Sequence, residues 1–282
     1  MRLRRLMDRA DTLLARIEAR KHSIALYGVP DDFIAFNHWL GLPVKDGREH
    51  PIYPYEVDYY SRVREHRLVV VNKATGIGIT ETTLRTMLHA SLGWGLKNRR
   101  FCIVTGTNIS LAKELLNRLE AMISRRQGWL VKARRSNALL LCNGSIFHVY
   151  PAANIDAIRG LTDVAFILVD EAAFFRLRDQ DRVREAIERY IAKTNPYIVW
   201  VSTPRGRVGA FYEIYKDAVD GKNGYHAITL PYTVALNTLL DEHYIEVQKR
   251  VKGRLFRQEY CCEFLEDEAS VFSMDDIKDL LI

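Results

Sequence analysis

Between residues 67 and 230 the chain alternates short apolar, β-branched runs with stretches whose apolar residues recur at helical spacing. The runs at 67–72, 101–105, 165–169, 197–202 and 225–230 are rich in Val, Ile, Leu and aromatic residues, the pattern of strands buried on both faces. Residues 138–142 and 145–150 read as two more strands, and Asn143-Gly144 between them predicts a two-residue hairpin turn. Helical period covers 80–94, 110–123, 179–193 and 210–219. After Pro231 the pattern turns helical, at 241–251 and 254–265, which marks the start of a small lid. Residues 41–60, rich in Pro, Gly and Tyr, read as loop followed by a short helix. Residues 2–21 read as an amphipathic helix with Leu3, Leu6, Leu13, Leu14 and Ile17 on its apolar side. Alternation of this kind predicts an α/β fold, a mostly parallel sheet with helices on both faces.

Composition adds size and charge to this outline. A chain of 282 residues, 48% apolar and 27% charged, suits one large α/β domain with a small appended subdomain. The net charge of +6 is compatible with a polyanionic partner, and its placement is uneven. Arg2, Arg4, Arg5, Arg9, Arg16, Arg20 and Lys21 crowd the N-terminus. The acid-free stretch 121–155 carries Arg125, Arg126, Lys132, Arg134 and Arg135, the best candidates for contact with a phosphate backbone, with Lys97, Arg99 and Arg100 second. A solvated basic face is the plainer reading of either set, and Trp129 in the first set fits core or stacking equally. Glu259, Glu263, Glu266, Asp267, Glu268, Asp275, Asp276 and Asp279 reverse the sign at the other end and read as a solvated helix face. The four cysteines form no CxxC pair, which argues against structural zinc; with no signal peptide they point to a reducing cytoplasm. No apolar run approaches the ~20 residues of a membrane span.

Chemistry is expected just beyond the carboxyl ends of the strands, where open parallel sheets bind ligands. After the first strand comes Lys73-Ala74-Thr75-Gly76-Ile77-Gly78-Ile79-Thr80, a glycine turn opening a helix, where backbone amides and the helix dipole favour an anion. It departs from G-x-x-x-x-G-K-S/T: Ile79 stands where the lysine belongs, and the chain has no such triplet elsewhere. Lys73, at the loop's start, is the alternative phosphate-binding lysine, and Thr80 keeps the magnesium-binding hydroxyl. A strand–turn–helix that binds no nucleotide remains open from this loop alone. The run at 165–169 ends in Asp170-Glu171, costly after an apolar strand unless employed. Phosphoryl transfer would employ both, Asp170 in the Mg²⁺ shell and Glu171 on the attacking water; the alternative is a pair of acids favoured by a helix dipole. The run at 197–202 ends in Ser202-Thr203-Pro204-Arg205-Gly206, a rigid turn whose hydroxyls can sense a γ-phosphate.

In this order the motifs resemble those of the large terminase subunits of tailed viruses: Tyr53-Pro54-Tyr55-Glu56, a Walker A loop with its lysine moved to the first position, Asn143-Gly144-Ser145, Ile158-Arg159-Gly160, Asp170-Glu171 and Ser202-Thr203-Pro204, over about 51–273. The resemblance implies a P-loop NTPase of the additional-strand type, an ATPase motor that uses ATP and Mg²⁺ to drive double-stranded DNA into a capsid. Lys73 and the amides of Ala74 to Thr80 would hold the phosphates, Thr80 and Asp170 the Mg²⁺, and Ser202 and Thr203 would couple. Tyr53, Tyr55 and Glu56 would lie near adenine, with Glu56 replacing a common glutamine. Arg159 would act in trans on a neighbour's ATP in a homo-oligomeric, pentameric ring, the alternative being a local salt bridge with Asp156 or Asp163. Portal protein and small terminase subunit are the implied partners and the host cytoplasm the implied place. The expected division is 1–50 helical, 51–231 ATPase core, and 232–282 lid with the start of a linker, with no nuclease activity in this chain. The competing readings are a superfamily 2-like translocase, for which 232–282 is too short to supply a second motor domain, and a nucleotide- or DNA-binding module without hydrolysis.

Overall fold

The computed structural model describes residues 28–106 and 109–266, and every structural statement here concerns those residues. The helix expected at 2–21 and the acids beyond Glu266 lie outside them.

Helix α1 (Phe33–Leu40) and a short hairpin of β1 (Val44–Lys45) and β2 (Arg48–Glu49) precede α2 (Pro54–Glu65). The central run then alternates: β3 (Leu68–Lys73), α3 (Ile79–Gly93), β4 (Arg100–Thr105), α4 (Ile109–Ser124), β5 (Val131–Arg135), β6 (Ala138–Leu141), β7 (Ile146–Pro151), β8 (Val164–Asp170), α5 (Leu177–Lys193), β9 (Tyr197–Ser202), α6 (Ala210–Val219) and β10 (His226–Leu230). Helices α7 (Glu242–Lys252) and α8 (Arg254–Glu259) follow.

The eight-stranded sheet has the order β10-β3-β9-β8-β4-β7-β6-β5. It is parallel from β10 to β7 and antiparallel through β6 and β5. One strand, β9, separates β3 from β8, which is the additional-strand arrangement of a P-loop NTPase. Strand period sorts the core onto both faces. Val69, Val71, Phe101, Ile103, Phe166 and Leu168 pack with α1 to α4. Their alternates Val70, Cys102, Val104, Ile167, Val169 and Trp200 pack with α5 and α6. Burial on both faces explains why these strands read as continuous apolar runs.

Three expectations are corrected. The helix expected at 254–265 ends at Glu259. Residues 131–135, read only as a charge cluster, form edge strand β5. The β6–β7 connection is longer than a two-residue turn: Gly144 N–H donates to Leu141 O (3.0 Å) and Leu141 N–H to Ser145 O (2.9 Å). That is a turn followed by a left-handed glycine, with Gly144 at φ 84°. A Cβ there would stand 2.6 Å from Asn98 Oδ1.

His89 on α3 joins the N-terminal helices to the core. Its ring stacks on Phe36 at 4.2 Å, lies 2.9 Å from Pro30 O through Nε2, and lies 3.0 Å from Tyr60 OH through Nδ1. A carbonyl only accepts, so Nε2 carries the proton and Nδ1 accepts from Tyr60. Burial pushes its pKa down to about 4. A folded value below the unfolded ~6.5 means this stability is present above pH ~6.5 and lost as pH falls through the folded value, up to about 3 kcal/mol. Melting temperature is expected to drop between pH 6.5 and 4, less steeply in His89→Gln; identical slopes in the two proteins would count against this assignment.

Candidate active site

Strand register aligns the functional ends: Thr105 pairs with Asp170, Asp170 with Val201, and Asn72 with Ser202. The side chains just past these positions therefore converge without long reaches. Lys73, the last residue of β3, is buried. Its Nζ donates to Glu171 Oε1 at 2.7 Å and to Thr203 Oγ1 at 3.2 Å. Glu171 adopts a left-handed backbone, φ 54°, a conformation that costs a non-glycine residue on the order of 1 kcal/mol. That turn aims its second oxygen at Ser202 Oγ and Thr203 N, both at 3.4 Å. Ser202 Oγ in turn donates to Thr203 O at 2.8 Å and accepts from Ala173 N–H at 3.1 Å. One carboxylate thus ties the ends of β3, β8 and β9 together.

Thr80 Oγ1 donates to Asp170 Oδ1 at 2.8 Å. Burial, with Glu171 beside it, pushes the Asp170 carboxyl up to about 6. A buried carboxylate and a hydroxyl in contact fit a Mg²⁺ that takes its other ligands from phosphates and water. They do not fit an all-protein cage, and among the described residues no group of three or more His, Cys, Asp or Glu could hold an ion.

The loop between β3 and α3 needs its glycines. Gly76 and Gly78 have φ near 79° and 78°, and a Cβ on Gly78 would meet Leu239 at 3.2 Å. Two of its amides are already engaged: Ala74 N–H donates to Leu230 O and Thr75 N–H to Glu259 O, each at 2.8 Å. The amides this loop leaves for an anion are accordingly fewer than those of 74–80 and begin at Gly76.

The three residues expected near adenine divide. Tyr55 OH donates to Ile77 O at 2.8 Å, and buried Glu56 accepts from Tyr53 N–H at 2.8 Å and from Thr82 Oγ1 at 2.6 Å. Tyr55 and Glu56 therefore brace the loop and the first turns of α3. Tyr53 instead lines a side cleft of about 440 Å³ with Lys45, His50 and Leu239, and stacks on His50 at 5.7 Å.

The main cleft, about 660 Å³, is lined by Thr75, Thr105, Asp170, Glu171, Thr203 and Phe174, and by Leu111, Glu114, Leu115 and Arg118 of α4. The α4 wall was missed in the sequence, although these residues recur at i, i+3, i+4 and i+7. Arg159 is not among the lining residues. It follows the turn at Ala152–Ile158, with Nε 2.8 Å from Asp156 Oδ1 and Nη2 3.4 Å from Glu185 Oε1. The basic set also divides. Arg125 bonds Leu42 O and Glu49, both at 2.6 Å; Arg126 bonds His38 O at 2.9 Å; Arg134 bonds Glu120 and Asn117, both at 2.9 Å. Lys132 and Arg135 stand exposed on β5. In the second set, Arg99 lies 3.6 Å from Asp163 and Arg100 donates to His148. Trp129 is half-buried against the core, its indole N–H on Gln127.

The family described as terminase large subunit, T4likevirus-type, N-terminal, matches residues 70–279. Among solved structures, the large terminase of bacteriophage HK97 superposes with TM-score 0.67 at 17% identity, over 83% of this chain and 55% of its own. The large terminase of a thermophilic bacteriophage gives 0.63 at 17%, over 80% and 57%, and it has also been solved with ADP and with ATP-γ-S. The ATPase domain of the Thermus phage P74-26 large terminase gives 0.62 at 18%, over 84% and 99%. The chain thus spans a little over half the length of the first two of these proteins. No helix among the described residues is long and apolar enough to cross a membrane.

Proposed function

The chain belongs to the family of large terminase subunit N-terminal domains, and from that footing we propose that it is an ATP-hydrolysing motor domain that translocates double-stranded viral DNA into a capsid. The observation that carries this reading is that Asp170, Glu171 and Thr203 line one cleft and Lys73, Thr80 and Ser202 meet them directly behind it, with β9 between β3 and β8. The ADP and ATP-γ-S complexes of the thermophilic bacteriophage's large terminase support the nucleotide assignment.

In this reading the amides from Gly76 to Thr80 and the N-terminus of α3 receive the phosphates. Thr80 and Asp170 hold Mg²⁺, which when bound screens the negative charge of the phosphates. Lys73 lies between the phosphate loop and Glu171, where its ammonium can turn from the carboxylate to a phosphate oxygen. Glu171, once released, orients the attacking water and takes up its proton. Thr203 N–H donates to the same carboxylate and Ser202 Oγ lies 3.4 Å from it, so the position of Glu171 is communicated to the loop that follows β9. There Arg207 bonds Phe264 O at 3.2 Å and Glu266 at 2.8 Å, joining that loop to the segment beyond α8. Double-stranded DNA, a homo-oligomeric ring, and portal and small-subunit partners belong to this proposal. Of the two basic sets named from the sequence, Lys97, Lys132 and Arg135 stand exposed among the described residues and are the candidates for phosphate contact.

Arg159 pairs with Asp156 and Glu185 on its own chain, outside the cleft, so a part in hydrolysis requires a neighbouring copy. Mg²⁺-dependent phosphate release across a protein concentration series tests both the motor and the ring. Specific activity should climb with concentration, and Arg159→Ala should lose about 10³-fold at the top of the series. Mixing Arg159→Ala with Glu171→Gln should restore part of the activity, because mixed rings contain intact sites. Equal activity of Arg159→Ala and wild type at every concentration would remove the trans role. Absence of hydrolysis by wild type would favour a binding module.

A further inference from the structure

We propose that Arg118, tethered on α4 by Glu81, supplies in cis a second cation for the terminal phosphates of a nucleoside triphosphate. The inference rests on reading the main cleft as an ATP site. Arg118 is the only cation among the described residues that line that cleft, while Glu114, Asp170, Glu171 and Glu259 supply four carboxylates. Lys73, behind them, is already engaged by Glu171 at 2.7 Å. No lysine enters on α3, where Ile79 is buried. A Mg²⁺-bound triphosphate brings further negative charge, so binding needs a cation whose partner is not itself a reacting group.

Arg118 meets that need by position. One guanidinium N–H donates to Glu81 Oε2 at 3.2 Å. Glu81 follows Thr80 directly, in the first turn of α3, so the guanidinium sits beside the turn that would receive the phosphates. Arg118 and Asp170 line the same cleft. The tether is rigid, because the other Glu81 oxygen accepts from Arg85 Nε at 3.0 Å, and buried Arg85 is fixed to Asn37 Oδ1 and Gly41 O, each at 2.8 Å. A guanidinium has five N–H donors, so Arg118 can hold Glu81 and still donate to phosphate oxygens. The arrangement uses the α3–α4 contact to provide the charge that position 79 lacks.

The test compares wild type, Arg118→Ala, Arg118→Lys, Glu81→Gln and Lys73→Ala in the full chain. Mg²⁺-ATP and Mg²⁺-ADP binding, phosphate release and melting temperature are measured for each. Arg118→Ala should lose about 10²-fold in kcat/KM for ATP while ADP affinity changes less than about threefold and the melting temperature holds. Arg118→Lys should retain part of the activity, and Glu81→Gln should lose less than Arg118→Ala. Wild-type kinetics in Arg118→Ala, while Lys73→Ala fails, overturns the proposal and leaves the ATP site standing. Parallel losses for ATP and ADP with a lowered melting temperature assign Arg118 a structural role and also overturn it. A wild type that binds no ATP brings down the ATP-site reading, and the role of Arg118 with it.

Discussion

Glu171→Gln is expected to lower ATP turnover by about 10³-fold while leaving Mg²⁺-ATP binding intact or tighter. Glutamine keeps an oxygen that can accept from Lys73 or from Thr203 N–H, so the left-handed turn and the strand ends it joins should persist. What disappears is the negative charge. A neutral amide cannot take the proton of the attacking water, and the loss therefore falls on kcat. The ammonium of Lys73, held at 2.7 Å by that charge in the wild type, becomes available to the phosphates, which is why affinity should not fall. Single-turnover phosphate release alongside equilibrium binding separates the two effects. Turnover within about threefold of wild type would remove Glu171 from the reaction and leave the strand-end carboxylate a structural tie.

Lys73→Ala is expected to fail at an earlier step, with ATP affinity lower by at least about 10²-fold and turnover lower still. The substitution removes the donor to both Glu171 Oε1 and Thr203 Oγ1 and leaves the carboxylates of Asp170 and Glu171 adjacent with less counter-charge. Entering phosphates then meet net repulsion. The cost to folding should be modest, because the Glu171 side chain is 38% exposed and water can take up part of the solvation. Adding Ile79→Lys to this variant, which restores the usual spacing, is not expected to rescue it. Ile79 is buried in the core beneath the first turn of α3, so a lysine there would have to leave its packing to reach a phosphate. Isothermal titration with Mg²⁺-ATP and a thermal melt of each variant check both statements; recovery of wild-type affinity in the double variant would show that the position of the lysine in the loop is interchangeable.

The sequence by itself determined the local chemistry. Strand period from 67 to 230 identified the parallel sheet, because residues buried on both faces have to be apolar at every position. The same logic made Lys73, Asp170, Glu171, Ser202 and Thr203 conspicuous at the ends of those runs, where a polar side chain survives only with a partner or a task. The tertiary structure alone decided who the partners are. Lys73 and Glu171 are 98 residues apart in sequence, and no period encodes their contact or the insertion of β9 between β3 and β8. Arg125 and Arg126 looked like a free basic patch because Glu49, 76 residues from Arg125, lies in a segment that read only as loop. The resemblance puts Glu56 near adenine, but only the fold shows that its two oxygens accept from Tyr53 N–H and Thr82 Oγ1. Nothing in the sequence singles out Arg118; its place on the cleft follows only from how α4 packs. Side-chain period reports which face of an element is dry; which element lies against that face, and hence where each charge is neutralised, depends on the packing of the whole sheet.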